Sequence, residues 1–206
     1  DADVDVDDSD DNGISSITGN TLNSVASAAV TLGPGTGEPV NETDLSPTGQ
    51  GSPDNRADMT VDFGFYRVEL GNLVFSDVNN NGTYDAGDAP LVDASVQLYS
   101  SNGTEIPVGP DGILGTADDA LGGVVTGASG TYLFSGLPAG DYVVGVTPPN
   151  NATSTVDTAA PADTTNPNTN IDNNDNGVGV GNGQVRSNTV SLVPGSAGAA
   201  SNNVVN

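Results

Sequence analysis

The sequence predicts an all-β protein, and three observations carry that prediction. Of 206 residues, 28 are Gly and 13 are Pro while only 4% are aromatic, a balance that favours short strands joined by turns over packed helices. Stretches of alternating apolar and polar residues recur at short intervals, separated by Asn-, Asp- and Gly-rich turns. An internal repeat at an offset of about 160 residues has the length of one β domain. The 34% hydrophobic content suffices for a thin sandwich core.

The repeat aligns Asp8-Ser9-Asp10-Asp11-Asn12-Gly13 with Asp172-Asn173-Asn174-Asp175-Asn176-Gly177, and Val30-Thr31-Leu32-Gly33-Pro34-Gly35 with Val190-Ser191-Leu192-Val193-Pro194-Gly195. It divides the chain into residues 1–66, the C-terminal part of one β-sandwich repeat, and residues 67–206, a second β-sandwich repeat lacking its final strand. In the first copy the Pro-Gly turn leads through a polar loop into a strand predicted over Met59–Tyr66; the second copy reaches Asn206 before an equivalent. A sandwich short of one strand has an open edge, so the expected partners are adjacent repeats or copies of the same chain, by strand addition.

Met59, Val61, Phe63 and Phe65 fall on one alternation, and Tyr66, Val68 and Leu70 on the opposite one. The slip at Tyr66 and Arg67 reads either as a β-bulge within one sheet or as two sandwiches joined without a flexible linker, the makings of a stiff rod. The next strand is predicted over Asp93–Tyr99, with Ala94, Val96 and Leu98 on one face and a hairpin turn at Asn102-Gly103. Others follow near Val124-Val125, over Thr131–Ser135, and over Asp141–Val146, where Tyr142, Val144 and Val146 share a face. Residues 148–170, rich in Pro, Asn, Thr and Ala, predict a long polar loop.

Charge narrows the function. Three Lys+Arg stand against 27 Asp+Glu, a formal net charge of -24, and the three cations are Arg56, Arg67 and Arg186, so there is no lysine. With no Cys, His or Trp either, the chain has no disulfide, thiol nucleophile, imidazole base or ordinary zinc site, and without Lys no Schiff base or Walker loop. Nucleic acid would be repelled along the whole surface. No run approaches the roughly 18 apolar residues of a membrane span, so no membrane insertion is expected. The chain opens at Asp1 without Met, which fits a processed or excised segment. Carboxylate pairs are plentiful, but glycosidase chemistry lacks Trp for sugar stacking, and no enzymatic activity is expected. A hard cation is what such a surface attracts.

The sharpest motif runs from Asp77 to Asp88. It follows the twelve-residue calcium loop, with side-chain oxygens from Asp77, Asn79, Asn81, Asp85 and Asp88 at positions 1, 3, 5, 9 and 12, Gly82 at position 6 and the Thr83 carbonyl at 7. Alternate residues aim oxygens at one point while the glycine permits the sharp turn. Asp88 replaces the usual Glu and shortens the bidentate reach; an acidic, Asn-rich surface turn is the plain alternative. A second candidate folds Asp111 toward Asp118 and Asp119 through Gly112 and Gly115, three carboxylates that repel unless neutralised, against a solvated turn. The third is the repeated acidic cluster, with Asp8, Asp10 and Asp11 in one copy and Asp172 and Asp175 in the other, although charge runs are usually solvated.

Phe63-Gly64-Phe65-Tyr66, Gly71-Asn72-Leu73-Val74-Phe75-Ser76-Asp77, the loop ending Asp85-Ala86-Gly87-Asp88, and Gly130 through Tyr142 together resemble the B repeats of serine-aspartate-repeat surface proteins, relatives of the collagen-adhesin B domain. The resemblance covers most of residues 59–147. It implies an Ig-like, prealbumin-like β-sandwich on a secreted bacterial surface protein, with Ca2+ held by Asp77, Asn79, Asn81, Thr83, Asp85 and Asp88 making tandem repeats compact and rigid. The chain departs from related pilin modules in lacking the lysine that an internal Lys-Asn isopeptide bond requires.

The expected function is therefore a structural calcium-binding repeat of an extracellular stalk, adhesin or filament at the bacterial cell surface, assembled by strand donation between units. The alternatives are an adhesin module that recognises a ligand, with its host receptor unspecified, and a dockerin-like module. Dockerins use two such loops followed by helices, and only one full loop is present here, with Pro90 close behind it.

Overall fold

The computed structural model describes residues 11–18, 21–30, 58–154, 175–178 and 183–192. The chain forms two compact units, Asp1–Tyr66 and Arg67–Asn206. In the first, β1 (Ile14–Thr18) and β2 (Thr21–Ala26) make an antiparallel hairpin with a register shift between Ser16 and Ile17.

The second unit is a β-sandwich. One layer pairs β3 (Val68–Leu73) with β8 (Thr131–Leu137). The other centres on β9 (Gly140–Thr147), flanked on one edge by β6 (Ser95–Ser100) and then β7 (Val124–Val125). On its opposite edge β9 pairs in succession with β12 (Val190–Leu192) and β11 (Val185–Ser187), and β10 (Gly177–Val178) extends the sheet from β11. A separate short ladder, β4 (Phe75–Ser76) with β5 (Ala89–Pro90), closes the base of the Asp77–Asp88 loop. Among the described residues the single helical turn is a 3-10 turn at Pro149–Asn151.

Alternation built this core. Val96 and Leu98 of β6 are fully buried, as is Ala94 just before it, and Tyr142 and Val144 of β9 pack with them. They meet Leu70, Phe134 and Leu137 from the opposite layer and Val190 and Leu192 from β12. Burial of each such side chain is worth about 1.5–3 kcal/mol relative to exposure. Tyr142 also anchors a corner: its phenol donates to the Pro138 carbonyl four residues upstream at 2.6 Å, the backward reach seen in sandwich tyrosine corners. The Asn102-Gly103 turn closes as predicted by residue type, with Gly103 at φ 86° and its N–H donating to the Ser100 carbonyl at 2.9 Å.

Two expectations are corrected. Met59–Tyr66 forms no strand: Thr60, on the polar phase, is 2% exposed, whereas Phe63 and Phe65 are 44% and 73% exposed. The side chains of Asp11 and Asn12 hold the backbone there, together with the main-chain bond from Asn12 N–H to the Asp62 carbonyl, and no ladder imposes the pleat. The predicted loop at 148–170 opens instead with the 3-10 turn; residues 155–170 lie outside those described. As for the phase slip, the division between units falls at Tyr66 and Arg67, and the register shift within β3 comes just after it, between Val68 and Leu70.

Candidate metal centre

The Asp77–Asp88 loop is wound on itself. Asn80 and Gly82 lie at positive φ (56° and 74°), which turns the chain so that alternate side chains face inward. Asp77 accepts the N–H groups of Asn81 (3.2 Å) and Gly82 (2.7 Å). Asp85 accepts the side-chain amides of Asn79 (3.3 Å) and Asn81 (2.9 Å). Asp88 accepts the N–H groups of Val78 (2.9 Å) and Asp85 (2.8 Å), and Asn81 Oδ1 accepts that of Thr83 (2.8 Å). All five predicted side-chain ligands thus belong to one hydrogen-bonded knot, and the exposed Thr83 bends around it. Phe75 and Tyr84 pack with ring centroids 5.4 Å apart, bracing the loop against its own base. The element that follows is strand β5, not the helix a dockerin-like arrangement requires.

The second candidate also folds back. Gly109, Gly112 and Gly115 have positive φ, and the Gly109 N–H donates to the Ala120 carbonyl at 3.1 Å. Ser135 N–H donates to the Gly112 carbonyl and Leu114 N–H to the Ser135 carbonyl, so the loop lies along β8. Asp111 caps Ile113 N–H (2.8 Å), and Asp119 accepts the N–H groups of Gly115 (2.9 Å) and Thr116 (3.3 Å). Sequence reasoning missed Thr116. Its hydroxyl is 2.6 Å from Asp118 Oδ1 and 3.4 Å from carboxylate oxygens of both Asp111 and Asp119, which makes it the point around which all three acids gather. One hydroxyl proton serves one of them. The missed signal was a short hydroxyl residue midway between Asp111 and the Asp118-Asp119 pair.

Of the repeated acidic cluster, Asp8, Asp10 and Asp172 lie outside the described residues. Asp11 and Asp175 adopt the same turn, each carboxylate accepting the N–H two residues on, Gly13 at 2.9 Å and Gly177 at 2.8 Å. The N–H groups of Gly13 and Gly64 hold the Asp11 carboxyl below the usual aspartate range. Asp175 in addition donates its own N–H to the carbonyl of Gly82, position 6 of the first loop. Among the described residues no three acidic side chains, the trio around Thr116 included, converge in an arrangement ready to hold a metal ion; the loop carboxylates of Asp77, Asp85, Asp88, Asp111, Asp118 and Asp119 accept hydrogen bonds instead.

The fold and loops define a β-sandwich module with acidic loops. Its relatives say where such a module is found. The chain is 30% identical over 109 residues, 52% of its length, to serine-aspartate repeat-containing protein F of Staphylococcus epidermidis, and equally so to serine-aspartate repeat-containing protein I of Staphylococcus saprophyticus. It is 33% identical over 102 residues, 48% of its length, to the bone sialoprotein-binding protein of Staphylococcus aureus. The chain spans only 6%, 5% and 8% of these relatives' lengths respectively. Among solved structures, a minor pilin of Streptococcus agalactiae matches with a TM-score of 0.31 and 28% identity, over 43% of this chain and 37% of that one. No protein-family pattern matches. The resemblance to serine-aspartate repeat surface proteins holds over about half the chain. Those relatives are staphylococcal cell-surface proteins, and an extracellular, cell-surface location follows for this chain.

Proposed function

We propose that the chain is a non-enzymatic, calcium-binding structural repeat of a bacterial surface stalk, adhesin or filament, whose units are stiffened by the cation and joined by strand addition. The observation that carries the reading is the knot between Asp77 and Asp88: side chains from positions 1, 3, 5, 9 and 12 are linked within one loop whose ends are clamped by the β4–β5 ladder. The donor set fits calcium, being all oxygen with three carboxylates. Asp77, Asn79, Asn81, Asp85 and Asp88 would hold it by side chains and Thr83 by its carbonyl. Asn79 and Asn81 now present their NH2 groups to Asp85, and turning each amide over offers its Oδ1 in exchange. Bound calcium would add two positive charges to carboxylates that otherwise accept only neutral N–H donors. It also offsets part of the net charge of -24 that opposes compaction.

Thermal unfolding of the chain in millimolar calcium and in excess chelator tests this. The expected result is a marked calcium-dependent rise in the midpoint, since a ligand at 100 times its Kd stabilises the folded state by about 2.7 kcal/mol. An unchanged midpoint would leave the carboxylates as a solubilising surface only. A second reading, recognition of a partner by sandwich loops, draws on the relative whose name records binding to bone sialoprotein; electron micrographs showing isolated particles rather than uniform fibres would favour it.

A further inference from the structure

Five Asn-Gly pairs stand in the sequence, beginning at Asn12, Asn81, Asn102, Asn176 and Asn182. In such a pair the glycine nitrogen can reach the preceding side-chain amide, because no Cβ shields it. Attack then depends on how readily that nitrogen gives up its proton and on how strongly the amide carbonyl is polarised. Asn182 lies outside the described residues. In three of the other four pairs the glycine N–H is held by a carboxylate: Gly13 by Asp11 (2.9 Å), Gly82 by Asp77 (2.7 Å) and Gly177 by Asp175 (2.8 Å). A negative charge beside the proton opposes its loss. Asn12 and Asn176 are also buried.

The pair at Asn102-Gly103 is exposed and differently wired. The Gly103 N–H donates to the neutral Ser100 carbonyl at 2.9 Å. The Arg186 guanidinium reaches the same turn, its Nη1 3.8 Å from where a Cβ on Gly103 would stand. It is braced there over the Tyr99 ring, 3.8 Å from the centroid, and by a 2.8 Å bond from its Nε to Gln184. A fixed positive charge favours loss of a nearby proton. On the amide itself, Asn102 Oδ1 accepts both the Ser100 hydroxyl (2.6 Å) and the Thr104 N–H (3.0 Å). Two donors on one carbonyl oxygen stabilise the negative charge that builds there as a nucleophile adds.

We propose that Asn102 is a site of spontaneous modification, converted through a cyclic imide to aspartate or isoaspartate by its own hairpin. The Gly103 nitrogen yields its proton to water and bonds to Asn102 Cγ; the bond from Cγ to Nδ2 breaks, and Nδ2 leaves as ammonia with a proton from solvent. Water then adds to either imide carbonyl and opens the ring. The balance is one water consumed and one ammonia released, with no oxidant or reductant. Closure requires the Gly103 bond to Ser100 to open, which an exposed turn permits. Arg186 and Ser100 act as positioning residues, the first on the nucleophile and the second on the carbonyl. The product carries a new negative charge beside Arg186, and the isoaspartate form lengthens the backbone of the turn that ends β6.

The full chain is aged in mildly alkaline buffer with chelator, so that the reading is independent of calcium, and is then digested at acid pH. Mass spectrometry follows the change from amide to acid at each Asn-Gly pair, and fragmentation separates isoaspartate from aspartate. In the folded chain Asn102 is expected to convert about tenfold faster than Asn12, Asn81 or Asn176, whereas in concentrated urea the four rates should converge. Arg186→Gln should slow Asn102 several-fold and leave the other pairs unchanged, and Arg186→Lys, which keeps the charge, should restore most of the rate. Should Arg186→Gln loosen the turn, Ser100→Ala gives a second reading, a slower conversion from the loss of one carbonyl donor. Equal rates at the four pairs in the folded chain overturn the proposal. So does a lead for Asn102 that persists undiminished in urea, since local sequence alone would then set it, and so does a rate untouched by both Arg186→Gln and Ser100→Ala.

Discussion

Asp175 donates its backbone N–H to the carbonyl of Gly82 at 2.8 Å, joining the acidic corner before β10 to the sixth position of the Asp77–Asp88 loop. Two motifs that stand far apart in the chain are therefore mechanically coupled. A change in the loop's winding is expected to reach the sheet edge where β10 and β11 pair.

Calcium should consequently be sensed beyond its own loop. In amide hydrogen exchange, adding calcium is expected to slow exchange at residues of the Asp77–Asp88 loop and at Asp175 together, because the Asp175 N–H is protected by a loop carbonyl. Slowing confined to the loop would show that the Gly82 carbonyl does not transmit the change.

Replacing Asp77 should separate metal binding from folding. Asp77→Ala removes the acceptor for two N–H groups, costing about 1 kcal/mol without metal, and the calcium-dependent rise in midpoint should vanish. Calorimetry with calcium and with chelator reads both effects; a variant that keeps the full rise would remove Asp77 from the ligand set.

Thr116→Val tests the second loop. Loss of the hydroxyl leaves Asp118 without its 2.6 Å donor and leaves the three acids facing an apolar methyl, so the midpoint in chelator should fall by an amount equivalent to about 1 kcal/mol. A midpoint matching the parent chain would show that solvent satisfies these carboxylates equally well.

Two backbone anchors should be costly to alter. Gly123 is at φ 66°, and a Cβ there would collide with the Val96 carbonyl, so Gly123→Ala is expected to lose about 2 kcal/mol or more in chemical denaturation. Tyr142→Phe deletes the bond to Pro138 while keeping the ring and should lose about 1 kcal/mol. If the order of these losses is reversed, the corner rather than the close approach governs the sandwich.

Alkaline pH gives a signed prediction. Burial raises the phenols of Tyr132 and Tyr142 above the ordinary tyrosine value, with Arg67 partly opposing the shift at Tyr142. The folded state then keeps protons that the unfolded chain releases, so this stability is intact below about pH 10 and declines as pH rises further. Midpoints measured across that range should fall, and they should fall less steeply for a chain carrying Tyr132→Phe.

Much of the architecture was legible without coordinates. Alternation located β6, β8 and β9, and Ala94, Val96 and Leu98 are buried as their shared face required, since a strand's inward residues are set by a two-residue period. Turn chemistry located Asn102-Gly103, and oxygen spacing located the Asp77–Asp88 loop, because both are written within a dozen residues. The apolar alternation at Met59–Phe65 was the misleading signal. A strand needs a partner backbone, and here side chains of Asp11 and Asn12 supplied the bonds instead.

By itself, then, the sequence determined the all-β class, the absence of thiol, imidazole and amine chemistry, the internal repeat and the oxygen-rich loops. Only the tertiary structure decided that Thr116 stands among Asp111, Asp118 and Asp119, that Asp175 leans on Gly82, and that an apolar cavity opens beside Asn176. The physical reason is range. Periodicity and turn propensity act between near neighbours, whereas which distant loop meets which strand edge follows from how the two layers close over their shared core.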